Sequence, residues 1–154
     1  MREILFRGKR IDNGEWVRGD LVHVENKSYI SYYYESPFST FINEQIKYDD
    51  ISIVGVAPFI EVDLATIGQY TGLNDKTGKK IFEGDIIKIV PDYDYSDDYS
   101  ISKVYSYNGV FCVDYHGDDF YSTALGFLDD YLFDGDFEVI GNIHDNPELL
   151  EVTQ

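Results

Sequence analysis

The side chains best able to do chemistry in this 154-residue sequence are its carboxylates, 29 against 12 lysines and arginines. The densest run is Asp92-Tyr93-Asp94-Tyr95-Ser96-Asp97-Asp98-Tyr99. Oxygen ligands at its first, third and fifth positions match the start of a calcium loop. An EF-hand, however, needs glycine at the sixth position and glutamate at the twelfth, where this chain has Asp97 and Lys103. The EF-hand is excluded. The expectation is a solvated acidic loop, with weak, nonspecific divalent-cation binding by Asp92, Asp94, Asp97 and Asp98 as the alternative. Asp118-Asp119, Asp129-Asp130, Asp134 and Asp136 could supply the opposed carboxyl pair of a glycoside hydrolase, but a chain this acidic produces such pairs by chance.

The other candidates are weaker. His23, His116 and His144 are scattered without ligand spacing, and only His116 has acidic company, in Asp114, Asp118 and Asp119. A turn histidine is expected there. Cys112 is the sole cysteine, which excludes an intramolecular disulfide and a multi-cysteine zinc site and fits a reducing compartment. It lies in the apolar run Val110 to Val113, so it reads as a small buried hydrophobe. A nucleophilic thiolate would need positive surroundings that this acidic half lacks. There is no phosphate-binding glycine loop, dinucleotide fingerprint or nucleophile elbow. No catalytic, cofactor-binding or metal-ligating residue is assigned, and no cofactor is expected.

Charge narrows the partners. Residues 1–88 hold 11 basic and 14 acidic side chains, a net of −3, whereas residues 89–154 hold Lys103 alone against 15 acids, a net of −14. A field of that sign repels phosphate backbones, so direct binding to generic DNA or RNA is not expected. Two small basic groups, Arg7, Lys9, Arg10 and Arg18, then Lys76, Lys79 and Lys80, read as charged guards on hairpin edges rather than phosphate sites. Charge interrupts the N-terminal stretch before a signal-type apolar core develops, and no later stretch approaches 18 uncharged apolar residues. Neither secretion nor membrane association is expected, and the cytosol is the default compartment.

The elements that must position these groups are strands and turns. Fourteen tyrosines, ten phenylalanines and Trp16 make the chain 16% aromatic, with 13 glycines, a strand and turn vocabulary. Ile4 to Ile11 and Glu15 to Val24 flank Asp12-Asn13-Gly14, read as a hairpin with a three-residue loop that places Arg10 opposite Trp16, guanidinium on indole. Tyr29 to Tyr34 and Ile51 to Val56 read as strands. Asp63 to Tyr70 offers an N-cap and apolar residues at helical spacing, so a short helix or a helical turn is expected. Asp75-Lys76-Thr77-Gly78 is a turn, and Lys80 to Val90 a strand, a glycine bend and a strand. Asn108-Gly109 makes a type I′ hairpin pairing Tyr105 with Cys112 and Lys103 with Asp114. Thr123 to Phe133 reads as a second short helix, Phe137 to Ile143 as a closing strand, and Asn146 to Leu150 as a final turn with proline near its start. The expected class is mainly β: a small barrel-like or sandwich architecture, hairpin-rich over residues 1–62 and barrel-like over 63–154.

Three segments carry a resemblance. Ile67-Gly68-Gln69-Tyr70-Thr71-Gly72-Leu73, Asp75 through Ile87, and Val139-Ile140-Gly141-Asn142-Ile143-His144-Asp145-Asn146-Pro147-Glu148-Leu149-Leu150 resemble the YopX family of phage and prophage proteins. The opening Phe6-Arg7-Gly8-Lys9-Arg10 with Gly14-Glu15-Trp16-Val17 is similar to that family's start. Leu64-Ala65 and the long acidic loop Asp92 to Ser102 depart from its pattern. The resemblance implies a β-rich fold, a phage or prophage origin in a bacterial host cytosol, and no established activity or catalytic residue. The expected function is a small non-enzymatic accessory protein that acts by binding another protein or itself. An acidic nucleic-acid mimic that occupies a host DNA-binding protein is the alternative, and a hydrolase with an acidic pocket the last choice. The expected interaction surface draws on Arg10, Trp16, Tyr32 and Tyr33, with the acidic loop residues Asp92, Asp94, Asp97 and Asp98; the assembly expected is a homo-oligomer.

Overall fold

The structure, a computed structural model, describes residues 3–31, 59–90, 99–116, 120–124 and 136–151. Tyr32 and Tyr33, the strand expected over 51–56 and the run Asp92 to Asp98 lie outside the described residues. The chain is mainly β, built from antiparallel sheets, with no closed barrel among the described residues. It divides into two compact units, Leu5–Ile67 and Met1–Ile4 with Gly68–Gln154.

In the first unit, β1 (Phe6–Lys9), β2 (Trp16–Val24), β3 (Lys27–Ser31) and β4 (Phe59–Val62) lie in the order β4-β3-β2-β1. Strand alternation puts Gly8, Gly19, Ser28, Ile30 and Val62 on one face, and all five are buried. That face turns inward because the sheet curls until its outer strands touch. Arg10 bridges Val62, and the Asp63 N–H donates to the Lys9 carbonyl at 2.8 Å. The close approach needs Gly8, since a Cβ there would sit 3.0 Å from Val62 Cβ.

The β2–β3 turn is tight, pairing Val24 with Lys27 around Glu25-Asn26, and it holds Glu25 at φ 55°. A side chain in that left-handed region costs about 1 kcal/mol that glycine does not incur. Glu25→Gly is therefore expected to raise the unfolding free energy by about 0.5 kcal/mol after the glycine's extra unfolded-state entropy is counted. Urea titration reads this directly, and a loss of stability would contradict the turn geometry.

Of the short helix or helical turn expected from Asp63, the structure forms the turn, one 3-10 turn over Leu64–Thr66. Asp63 does cap it, accepting the Ala65 N–H at 2.9 Å. Thr66 then spends its hydroxyl elsewhere, donating to the Asp63 carbonyl at 2.7 Å and accepting the Lys9 N–H at 2.8 Å. The residues that follow, rich in glycine, threonine and tyrosine, extend as β5.

The second unit contains β5 (Gly68–Asn74), β6 (Lys80–Phe82), β7 (Asp85–Val90), β8 (Ser100–Lys103), β9 (Tyr105–Tyr107), β10 (Val110–His116), β11 (Phe120–Ala124) and β12 (Asp136–Asn142). β5 pairs with β6, and two three-stranded sheets run β12-β7-β8 and β11-β10-β9. Phe137 opposes Ile89 and Val139 opposes Ile87, and these four join Ile81, Val104 and Val113 in one buried cluster. At the β9–β10 tip, Asn108 (φ 50°) and Gly109 (φ 78°) are both left-handed, the signature of a type I′ turn, and Tyr105 pairs with Cys112 as expected. The ladder does not extend to the expected Lys103–Asp114 pair. Lys103 pairs with Ile86 on β7, while Asp114 accepts the Tyr105 hydroxyl at 2.8 Å. Thr123 and Ala124, expected to begin a helix, end β11 instead, and residues 125–133 lie outside the described residues. The closing 3-10 turn Pro147–Leu150 starts on its proline.

Candidate interaction surface

The aromatic centre of the first unit is Trp16, and the loop before it decides which cation it meets. Gly14, at φ 74°, returns its N–H to the Arg10 carbonyl at 3.0 Å, and the Arg10 N–H donates to the Glu15 carbonyl at 2.9 Å. The loop therefore holds four residues, Ile11 to Gly14, rather than three, and the register slips by one. Lys9 stands opposite Trp16, and Arg7 opposite Arg18. A one-residue slip changes every facing pair. Lys9, rather than the expected Arg10, thus takes the position across from Trp16. Arg10 instead reaches Asp12, Nε to Oδ1 at 2.8 Å and Nη2 to Oδ2 at 2.5 Å. That hydrogen bond holds the exposed Asp12 carboxyl below the usual carboxylate range.

The indole carries two other cations. Arg7 Cζ lies 4.8 Å and Lys9 Nζ 5.5 Å from the ring centroid, within cation–π range. Arg7 is only 7% exposed, Lys9 and Trp16 are half-buried, and Arg18 is exposed. Strand alternation continues this outward face to Lys27 and Glu61, joined at 2.9 Å, an ion pair that raises the Lys27 pKa. A basic and aromatic group thus sits on one sheet face of a strongly acidic chain. Its cations were visible in the sequence, but their assignment to Trp16 depended on the loop length.

The acidic and nucleophilic candidates give a different picture. Cys112 is buried, and burial, reinforced by Asp114, pushes its thiol pKa up, away from a reactive thiolate. His23 meets Ser28 Oγ through Nδ1 at 2.9 Å. Among the described residues no three histidine, cysteine or carboxylate side chains gather as a metal site requires. Asp92, Asp94, Asp97 and Asp98 lie outside those residues.

The residues that carried the resemblance act on the fold. Asp75 is buried and accepts four donors: the Thr77 N–H at 2.8 Å, the Thr77 hydroxyl at 2.7 Å and the Lys79 N–H at 2.9 Å on Oδ1, and the Val139 N–H at 3.1 Å on Oδ2. Burial pushes this carboxyl up, but the donors outweigh it and hold the pKa at about 2. Buried Asp85 accepts the Phe82 N–H at 2.7 Å across the bend at Gly84 (φ 82°). Asn142 Oδ1 accepts the N–H groups of His144 and Asp145, both at 3.0 Å.

Gly141 follows a bulge in the β7–β12 ladder and lies under the closing turn. A Cβ there would sit 2.8 Å from Asn146 Oδ1 and 2.9 Å from Leu149 Cδ1. Gly141→Ala is expected to cost about 1–3 kcal/mol by overpacking. Guanidinium unfolding checks this, and a loss below about 0.5 kcal/mol would mean that the turn moves aside freely.

Antiparallel sheets in two units, with buried aspartates tying turns to strands, define a mainly β protein whose distinctive polar residues serve its fold. The YopX protein family model matches residues 5–151, and the chain belongs to the YopX family. Among solved structures it is similar to the YopX protein of Bacillus subtilis, at 21% identity and a TM-score of 0.56 over 97% of this chain and 99% of that one. It is also similar to protein EF1440 of Enterococcus faecalis, at 24% identity and a TM-score of 0.47 over the same shares. No curated protein matches it.

Proposed function

We propose that this chain is a non-enzymatic accessory protein of a phage or prophage, working in the bacterial host cytosol by binding protein, with its own copies among the partners. The observation that supports this reading most is the use made of the polar motif residues. Asp75, Asp85 and Asn142 each accept backbone N–H groups within the fold, which leaves them poor candidates for acid–base or nucleophilic work. The basic and aromatic face around Trp16 supplies a surface of the composition that protein interfaces favour, aromatic and arginine-rich.

The charge asymmetry favours one second reading, an acidic mimic of nucleic acid that occupies a host DNA-binding protein. A pull-down from bacterial lysate at 0.15 M and 0.5 M salt, with bound proteins identified by mass spectrometry, separates the two. Partners retained at 0.5 M support shape-specific protein binding. Release of DNA-binding proteins alone between the two salts favours mimicry. Recovery of nothing above a control, together with a one-chain mass in light scattering over a hundredfold concentration range, would sink the accessory-protein reading. Duplex DNA itself is expected not to bind at 0.15 M salt, and submicromolar binding in fluorescence anisotropy would reverse that expectation.

A further inference from the structure

Two asparagines of the chain precede glycine, Asn13 and Asn108. Asparagine is a labile side chain because the backbone nitrogen that follows it can attack the carboxamide, and a glycine in that place leaves the nitrogen unshielded by any Cβ. The two dipeptides are held differently. The Asn13 carboxamide is engaged at both ends, Nδ2 donating to Glu15 Oε2 at 2.9 Å and Oδ1 accepting the Glu15 N–H at 3.0 Å, and the Gly14 N–H donates to the Arg10 carbonyl at 3.0 Å. At the β9–β10 tip, neither the Asn108 carboxamide nor the Gly109 N–H meets a hydrogen-bond partner among the described residues. Both residues are exposed, and a Cβ on Gly109 would find nothing within 4 Å.

From this we infer that Asn108-Gly109 is the chain's site of spontaneous succinimide formation, and that the Asn13-Gly14 loop is held back by its hydrogen bonds. The Gly109 nitrogen gives its proton to base and bonds to Asn108 Cγ. The Cγ–Nδ2 bond breaks, and the amide nitrogen takes up a proton and leaves as ammonia. Water then opens the cyclic imide at one carbonyl to give aspartate or at the other to give isoaspartate, so the net change consumes one water and releases one ammonia. Attack requires the tip to leave its left-handed turn briefly. That opening costs little where Tyr107 and Val110 beside the tip are exposed and β9 is 3 residues long, whereas at Asn13 it breaks the hydrogen bonds just described.

The event falls within Val104–Val113, a run without a charged side chain in a half that sets 15 acids against Lys103. Either product puts a carboxylate between exposed Tyr107 and Val110. Isoaspartate also adds a methylene to the main chain of a two-residue loop whose twist matches its strands, so the pairing of Tyr107 with Val110 is strained as well. The inference goes beyond the proposed function and needs no partner for its test.

The folded chain is incubated in heavy-oxygen water at neutral and at mildly alkaline pH beside a guanidinium-unfolded sample, and peptides are mapped by mass spectrometry. The expected result is loss of ammonia with uptake of one heavy oxygen at Asn108, faster in the alkaline buffer. In the folded chain Asn108 should convert at least about tenfold faster than Asn13, and in the unfolded chain the two rates should come within about threefold of each other. Asn108→Gly keeps a residue suited to the left-handed region and should abolish the early acidic species seen in ion exchange. Asn13 converting as fast as Asn108 in the folded chain would overturn the inference. So would a folded Asn108 that stays intact while the unfolded chain converts, since the turn would then protect its asparagine, or an acidic species that persists in Asn108→Gly.

Discussion

Replacing Asp75 by alanine is expected to remove about 3–5 kcal/mol of stability, because four donors converge on its carboxylate and most would be left buried without an acceptor. The loss should appear as a lower denaturant midpoint with an unchanged slope. Asp75→Asn separates shape from charge. It keeps one acceptor oxygen but cannot ionise, so it should lose less than alanine and also lose the acid dependence.

With the folded carboxyl at about 2 and the ordinary value at 3.8, the unfolded chain takes up the proton first as acid is added. The contribution, about 2.5 kcal/mol, is complete above pH 5 and falls away as the pH drops toward 2. The gap between wild type and Asp75→Asn should therefore narrow over that interval. A gap constant from pH 7 to pH 2.5 would mean that the carboxylate charge adds nothing.

The second large effect is expected at Ile87. It is fully buried, opposes Val139 on one side and Ser102 on the other, and belongs to the cluster that joins β7 to β12. Ile87→Ala should cost about 2–5 kcal/mol, through lost transfer energy and the cavity left behind, and lower the melting temperature by about 5–15 °C. Ile87→Val, which deletes one methylene, should cost about 1 kcal/mol. If both variants melted within 2 °C of wild type, the β7–β12 contact would not be the centre of this unit's stability.

What the sequence made legible was local. Asn108-Gly109 identifies its turn because both residues tolerate the left-handed region, and the register of Tyr105 with Cys112 follows from that dipeptide alone. Asp63 was legible as a cap because its short carboxylate can accept a backbone N–H of the first turn. The helical turn expected after it forms over Leu64–Thr66, but its end was not legible, because Thr66 bonds to Lys9 across 57 positions, and no window of residues 63–70 contains that partner. The role of Asp75 was hidden similarly: its turn could be read, but Val139 lies 64 positions away. The aromatic centre was misassigned by one residue. Whether the loop after Arg10 holds three or four residues depends on where the Gly14 N–H finds its acceptor, and both lengths suit Asp-Asn-Gly. The candidate surface was therefore legible as a composition, with Trp16 and its cations in hand, but not as an arrangement.

The β12-β7-β8 sheet also dictates an order of events during synthesis. The β9–β10 hairpin contains everything it needs and can form within microseconds of leaving the ribosome. Strand β7 cannot complete its sheet so soon, since β8 flanks it from nearby in sequence but β12 follows about 50 residues later. At a translation rate of about 5–20 residues per second, one edge of β7 stays without its native neighbour for about 3–10 s. That edge carries Ile86, Ile87 and Ile89, an apolar run that templates pairing with any other extended chain. The nascent protein is thus most prone to aggregate in the seconds before its last strand emerges, and slowing translation beyond Val90 should lower its soluble yield more than slowing it before Asp85.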